Sequence, residues 1–269
     1  MTSPAEKRAA FRALHREGCF VMPNPWDVGS AIALQSLGFK AIASTSAGMA
    51  WAMGRPDGAV TREAVLSHLA ALAAATHIPL NADFENGFAD DPEGVAASVS
   101  LAVDAGVAGL SIEDFTGDPA APLYDFTLAV ERIAAAREAI GASGVVLTAR
   151  AEGFLRGRPD LDEILRRLTA FADAGADCLY APLLPGEAEI ATVVRAVAPS
   201  PVNVLADSLP VATLAGLGVR RISVGGSLAR VAWGGFLDAA REIANAGTFG
   251  GFSRGAKGGD IKAALTAGA

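Results

Sequence analysis

Eight times along this chain a short apolar run is followed by a stretch of helical periodicity, and this repetition constrains the fold more than any other feature. The runs are 19–22, 41–44, 79–83, 109–112, 145–148, 178–180, 202–205 and 222–224. Helical stretches follow over 28–37, from 62, over 92–105, 127–140, 161–174, 188–197, 211–217 and 228–246, with Asp27 placed to cap the first and Gly38 to end it. Continuously apolar strands alternating with helices read as a parallel sheet covered on both faces. Eight such units are the number that closes a (β/α)8 TIM barrel. The expected fold is therefore α/β, one barrel domain over 1–269 with a helix over 4–17 ahead of it. The glycine-rich segment 247–269 reads as a C-terminal helical arm, expected to pack on a partner subunit.

Composition narrows the function. Apolar residues make up 51% of the 269, which suffices for a large core, and a net charge of −7 argues against nucleic acid, whose phosphates require a basic face. No run of 18 apolar residues suggests a membrane span, and residues 1–8 lack the apolar centre of a signal peptide. Two cysteines, Cys19 and Cys178, both placed in strands, cannot build a disulfide framework and fit a reducing compartment. A cytoplasmic location is expected. Four lysines, at 7, 40, 257 and 262, all lie away from strand ends, so Schiff-base chemistry is not expected.

Barrel chemistry sits at the carboxyl ends of the strands. There the chain places Asp57, Asp83, Glu85, Glu113, Asp114 and Glu152 around one arginine, Arg150. On an extended backbone Asp83 and Glu85 leave the same face, and like charges that close repel unless a cation or proton lies between them. Oxygen-only ligands suit a hard ion such as Mg²⁺, with Mn²⁺ as a substitute. His15, His68 and His77 fall on helices or a helix end, so the mechanism is expected to run without an imidazole base.

Taken together, Thr45-Ser46-Ala47-Gly48, Pro56-Asp57-Gly58, Asp83-Phe84-Glu85-Asn86-Gly87, Ile112-Glu113-Asp114 and Thr148-Ala149-Arg150 resemble the phosphoenolpyruvate mutase and isocitrate lyase superfamily. The likeness runs from Pro23-Asn24-Pro25-Trp26-Asp27 to Arg221-Ile222-Ser223-Val224-Gly225. It implies Mg²⁺ held directly by Asp83 and through waters by Asp57, Glu85 and Glu113. It implies a 2-oxo acid whose oxygens meet Thr45, Ser46 and Ala47, with Arg150 as a cationic fork. It also implies a last helix exchanged between subunits of a homodimer or homotetramer.

The departures concern the reaction. The loop after the fourth strand, Phe115 to Tyr124, has neither the Lys nor the Cys of the lyases, nor the mutase's Lys and Asn. Tyr180-Ala181-Pro182 stands where lyases carry a glutamate and the mutase a histidine, and Asn203 lies two residues early. The reading is a lyase that cleaves a C–C or C–carboxylate bond of a small 2-oxo or 2-hydroxy carboxylate through a metal-stabilised enolate. Arg150, Glu113 and Tyr180 are its catalytic candidates, and Asp83 and Asn203 join the substrate contacts. A phosphonomutase or phosphonopyruvate hydrolase and a non-catalytic 2-oxo acid binder are the alternatives.

Overall fold

The computed structural model describes residues 2–266, so the last three residues of the arm expected over 247–269 lie outside the described part. Eight parallel strands form one sheet: β1 (Phe20–Met22), β2 (Ile42–Ala43), β3 (Leu80–Asp83), β4 (Gly109–Glu113), β5 (Val146–Arg150), β6 (Cys178–Tyr180), β7 (Val202–Leu205) and β8 (Arg221–Ser223). Neighbours pair in chain order from β2 to β8, and β8 pairs β1. Between β1 and β2 the backbone bond from Ala43 N to Pro23 O, 3.0 Å, draws the two together and completes the ring. The chain is a TIM-type α/β barrel, as its repetition predicts.

Alternation along each strand decides what faces where. Ile42, Leu80, Ala82, Leu110, Ile112, Leu147, Ala149, Leu179, Val202, Val204 and Ile222 point outward into one large core shared with the helices. The alternate residues face the lumen, where Asn81, Ser111, Thr148, Asn203, Arg221 and Ser223 are all buried and polar. The strands are therefore not continuously apolar as the sequence suggested: only their helix-facing sides are.

Below, the lumen is closed by α1 (Pro4–Leu14). Phe11, fully buried, packs with Phe20, Met22, Ala41, Ala43 and Val146 in a second, smaller apolar cluster. Gly109 allows this plug, because a Cβ there would stand 2.5 Å from Phe11 Cε1 and 2.8 Å from Asn81 Oδ1. Ser3 and Glu6 form a reciprocal capping box that starts α1, and Lys7 Nζ ties the helix to the carbonyls of Ala73 and Thr76.

Other differences from expectation are local. Between β2 and α4 (Arg62–Ala75) the chain inserts α3 (Ser46–Ala52), capped by Thr45, a helix too short to show periodicity in sequence. Cys19 sits one residue before β1 and is half-buried, whereas Cys178 is buried inside β6. After β8 comes α10 (Ser227–Ala246), which ends at Gly247 in the left-handed region. A 3-10 turn (Gly250–Arg254) follows, then α11 (Gly258–Thr266), which packs near α2 (Val28–Ser36).

Candidate active site

At the carboxyl end of the barrel lies a cavity of about 170 Å³. Drug-sized sites span ~300–1,000 Å³, so this one suits a ligand of a few carbons. Thr45, Ser46, Ala47, Asp57, Asp83, Arg150, Tyr180 and Asn203, eight of the residues expected from sequence, line it together.

Asp83 ends β3 and is fixed from three sides. Its Oδ2 accepts from Ser46 N at 3.0 Å, its Oδ1 from Arg150 Nη1 at 2.8 Å, and its own N–H donates to Ser44 Oγ at 2.9 Å. Asn24 holds the adjoining part of the rim: Nδ2 donates to Ser44 O, and Oδ1 accepts from Val224 N and Gly225 N. The Pro23-Asn24-Pro25 motif thus joins the ends of β1, β2 and β8.

Glu85 does not share a strand face with Asp83. β3 stops at Asp83, and Glu85 adopts φ 48° in the turn that follows, so the period-2 argument fails there. The two carboxylates still act on each other. Burial, then the charges of Asp83 and Asp57, push Glu85 up to about 7. The turn that carries it is held by Arg132, a buried arginine whose guanidinium donates to the carbonyls of Asn86, Ala89 and Asp90 and lies 3.9 Å from the Tyr124 ring centre.

Glu113 and Glu85 are not among the residues that line the cavity. Arg150 explains this for Glu113, because it gathers carboxylates: Nη2 lies 3.1 Å from Glu113 Oε2 and 2.8 Å from Glu152 Oε1, in addition to Asp83. Burial opposes charge on Arg150, but Glu152, Glu113 and Asp83 outweigh it and hold its pKa above the usual arginine range. Glu113 is pushed upward, first by burial and then by Glu152 and Asp83, against Arg150 and Arg156. The arginine expected as a cationic fork for substrate is engaged by three carboxyl groups of its own chain.

Asp114 does not face the mouth. It is 3% exposed, accepts from Glu152 N at 2.8 Å, and pairs with Arg167 at 3.0 Å behind the strands. Tyr180 lines the cavity with its ring centre 5.1 Å from Arg150, and burial raises its phenol to about 12, so it carries its proton at neutral pH. Asn203 sits one layer lower, accepting from Arg221 Nε at 2.8 Å and donating to Ser223 Oγ at 3.0 Å.

Sequence reasoning missed Arg156 and Arg221. Arg156 pairs with Glu152 at 3.1 Å and Glu113 at 3.4 Å while stacking 3.5 Å above Phe115; the Glu152-to-Arg156 spacing of four was its signal. Arg221 could have been found from the alternation Arg221-Ile222-Ser223, which turns it inward with Ser223. The loop after β4 is a hairpin: Thr116 N donates to Pro122 O, Tyr124 N to Asp114 O, and Phe115 bridges Leu123. None of its residues lines the cavity.

The residues fit a hard cation by charge. Among the described residues no three His, Cys, Asp or Glu side chains gather as a preformed cage, but Mg²⁺ needs only one or two direct carboxylates and otherwise keeps its waters. Each Asp83 oxygen retains an unused lone pair, and a cation there would replace the proton that Glu85 holds.

Residues 11–244 match the family model described as phosphoenolpyruvate phosphomutase. The chain belongs to that family. It is similar to a Burkholderia cenocepacia J2315 protein of known structure, provisionally assigned as a lyase or mutase, at 49% identity and a TM-score of 0.92 over 96% of this chain and 95% of that one. An uncharacterized protein of Mycobacterium tuberculosis is 37% identical over 80% of this chain and 81% of its own length. The probable 2-methylisocitrate lyase 2 of Corynebacterium glutamicum is 30% identical over 91% of this chain and 83% of its own. The chain is thus an enzyme of the lyase and mutase superfamily. No helix among the described residues is long and apolar enough to cross a membrane.

Proposed function

We propose that this enzyme is a Mg²⁺-dependent lyase that breaks a C–C or C–carboxylate bond of a small 2-oxo or 2-hydroxy carboxylate through a pyruvate-type enolate. The observation that carries the reading is Asp83, held by Ser46 N and Arg150 on the wall of a cavity sized for a few carbons, beside a carboxylate that holds a proton near neutrality. Asp83 would hold the ion directly, with Asp57, Glu85 and Glu113 reaching it through water. Bound there, Mg²⁺ supplies positive charge against an oxyanion developing on the substrate.

The chain's own groups have distinct tasks. The Ser46 N–H, aligned by the Thr45 cap on α3, keeps Asp83 from turning away. Arg150 and Arg156 limit repulsion between Asp83, Glu113 and Glu152. Tyr180, protonated up to about pH 12, can donate a proton to a carbanion carbon but cannot accept one at neutral pH. The β4–α6 hairpin, with α6 spanning Phe126–Ile140, offers no acid or base to the cavity.

Assembly as a homodimer or homotetramer is part of the proposal. Val231 on α10 is 73% exposed and Phe236 61%, with Phe249 and Phe252 similarly uncovered, an apolar face of the kind that pairs subunits. The single barrel with its arm and a cytoplasmic setting complete it, the latter supported by two free cysteines.

A thermal-shift screen of 2-oxo acids with and without Mg²⁺ tests the reading, because a ligand that binds the native state raises the unfolding temperature. Stabilisation by pyruvate or oxaloacetate only when Mg²⁺ is present is expected. Stabilisation by phosphonates alone would favour the mutase alternative. No stabilisation by any of these acids would overturn the reading.

A further inference from the structure

The turn over 84–91 carries Glu85 between β3 and α5 (Pro92–Asp104), and it runs against the preference of its own residues. Glu85 at φ 48° and Phe88 at φ 58° both stand in the left-handed region, on either side of Gly87 at φ 80°. Residues with a side chain rarely adopt that region, and they persist there only where surrounding contacts over-determine them. Within the turn Gly87 N donates to Phe84 O at 2.9 Å and Phe88 N to Asn86 Oδ1 at 3.0 Å. The carbonyls of Asn86, Ala89 and Asp90 are met from outside it.

Two residues from elsewhere in the chain supply that contact. Arg132, on α6 and 1% exposed, donates to all three carbonyls. Tyr124, which ends the β4–α6 hairpin, donates its hydroxyl to Asp90 Oδ1 at 2.5 Å and accepts from Asn86 Nδ2 at 3.2 Å, with its ring 3.9 Å from the Arg132 guanidinium. Its backbone is tied to the site as well: Tyr124 N donates to Asp114 O at 3.0 Å, and the preceding Glu113 N donates to Glu85 O at 3.0 Å. Hairpin, Glu85 turn and the end of β4 therefore form one closed circuit. At the other stalk of the hairpin, Phe115 lies 3.5 Å beneath Arg156, which pairs with Glu113 and Glu152. A hairpin that brings no acid or base to the cavity thus grips both loops that bear its carboxylates.

We propose that Tyr124 is a positioning residue for the cation at Asp83: with Arg132 it fixes the 84–91 turn so that Glu85 accepts hydrogen bonds from the waters that a bound Mg²⁺ keeps. This rests on the function proposed above and adds the means by which the hairpin acts on the site. A carboxylate that reaches the ion only through water makes no bond that would draw it into place, so its distance from the ion is set by the backbone that carries it. Tyr124 itself touches neither metal nor substrate.

Calorimetric titration with Mg²⁺ alone tests the role. Tyr124→Phe keeps the ring against Arg132 and removes only the hydroxyl, and it should weaken Mg²⁺ binding at least about threefold, part of the effect of one hydrogen bond to a charged group. Arg132→Lys, whose ammonium cannot serve three carbonyls in the same fork, should weaken it at least about tenfold. Glu85→Gln should bind Mg²⁺ less well than the wild type, and adding Tyr124→Phe to it should cost nothing further, because a residue that acts through Glu85 then has nothing left to position. Wild-type affinity in Tyr124→Phe would overturn the role, and so would the same loss with and without Glu85, which would mark general loosening. Hydrogen exchange in EDTA reads the turn without the metal: the Glu113 and Gly87 amides should exchange at least about fivefold faster in Tyr124→Phe, while Val224 and Gly225, bonded to Asn24, should not change. Bound Mg²⁺ with unchanged exchange at Glu113 and Gly87 would overturn the role of Tyr124 alone. A wild type that binds no Mg²⁺ would overturn the proposed function and the cation role with it, even where exchange shows the turn loosened.

Discussion

Replacing Glu85 with Gln should stabilise the metal-free protein, and the gain should depend on pH in a defined way. Burial and the charges of Asp83 and Asp57 raise Glu85 from 4.5 to about 7. Between these values the folded protein binds a proton that the unfolded chain has released. Stability therefore falls as pH rises from about 4.5 to about 7 and is flat beyond, the reverse of a salt-bridged carboxylate. The difference between 4.5 and about 7, at about 1.36 kcal/mol per pH unit, is on the order of 3 kcal/mol lost by pH 8. Urea denaturation in EDTA at pH 5, 6, 7 and 8 measures it. The wild-type midpoint should decline over this range relative to Glu85→Gln, and Mg²⁺ should restore the wild type most at pH 8, because the cation takes the place of the proton. Parallel profiles for the two proteins in EDTA would refute the electrostatic argument and with it the strongest sign that the site calls for a cation.

Arg150→Lys should keep the barrel but lose most affinity for 2-oxo acids with Mg²⁺, because an ammonium cannot reach Asp83, Glu113 and Glu152 at once; calorimetry with pyruvate measures the loss. Gly109→Ala should cost about 1–3 kcal/mol by denaturant unfolding, since its Cβ would meet Phe11 at 2.5 Å and force the plug aside. Alkylation should leave turnover intact, as Cys178 is buried with burial raising its thiol pKa and Cys19 precedes β1 far from the cavity; loss of activity on labelling would restore a catalytic thiol.

The sequence made the barrel legible because strand and helix alternate eight times with ordinary connections, and most strands begin or end within a residue or two of their observed limits. The mouth was legible for a related reason: strand ends carry function in this architecture, so Asp83, Arg150 and Tyr180 could be placed without side-chain coordinates. Glu85 could not, because a left-handed turn breaks the alternation and nothing in Asp83-Phe84-Glu85 announces it. Asp114 was misdirected by its neighbour: adjacent strand residues face opposite sides, so with Glu113 turned inward Asp114 had to turn toward Arg167. Arg221 was passed over because its strand was read as starting at Ile222, and one residue of register decides which side chain enters the lumen.

The central claim is that Asp83 anchors a Mg²⁺-dependent cleavage of small 2-oxo or 2-hydroxy carboxylates. Its most direct test is turnover of oxaloacetate and methylisocitrate, measured side by side for wild type and Asp83→Ala after EDTA treatment and graded return of Mg²⁺. The account predicts wild-type cleavage of at least one of the two that appears only as Mg²⁺ is restored, and none in Asp83→Ala at any Mg²⁺ concentration. Equal turnover by the two proteins, or wild-type turnover indifferent to EDTA, would contradict it.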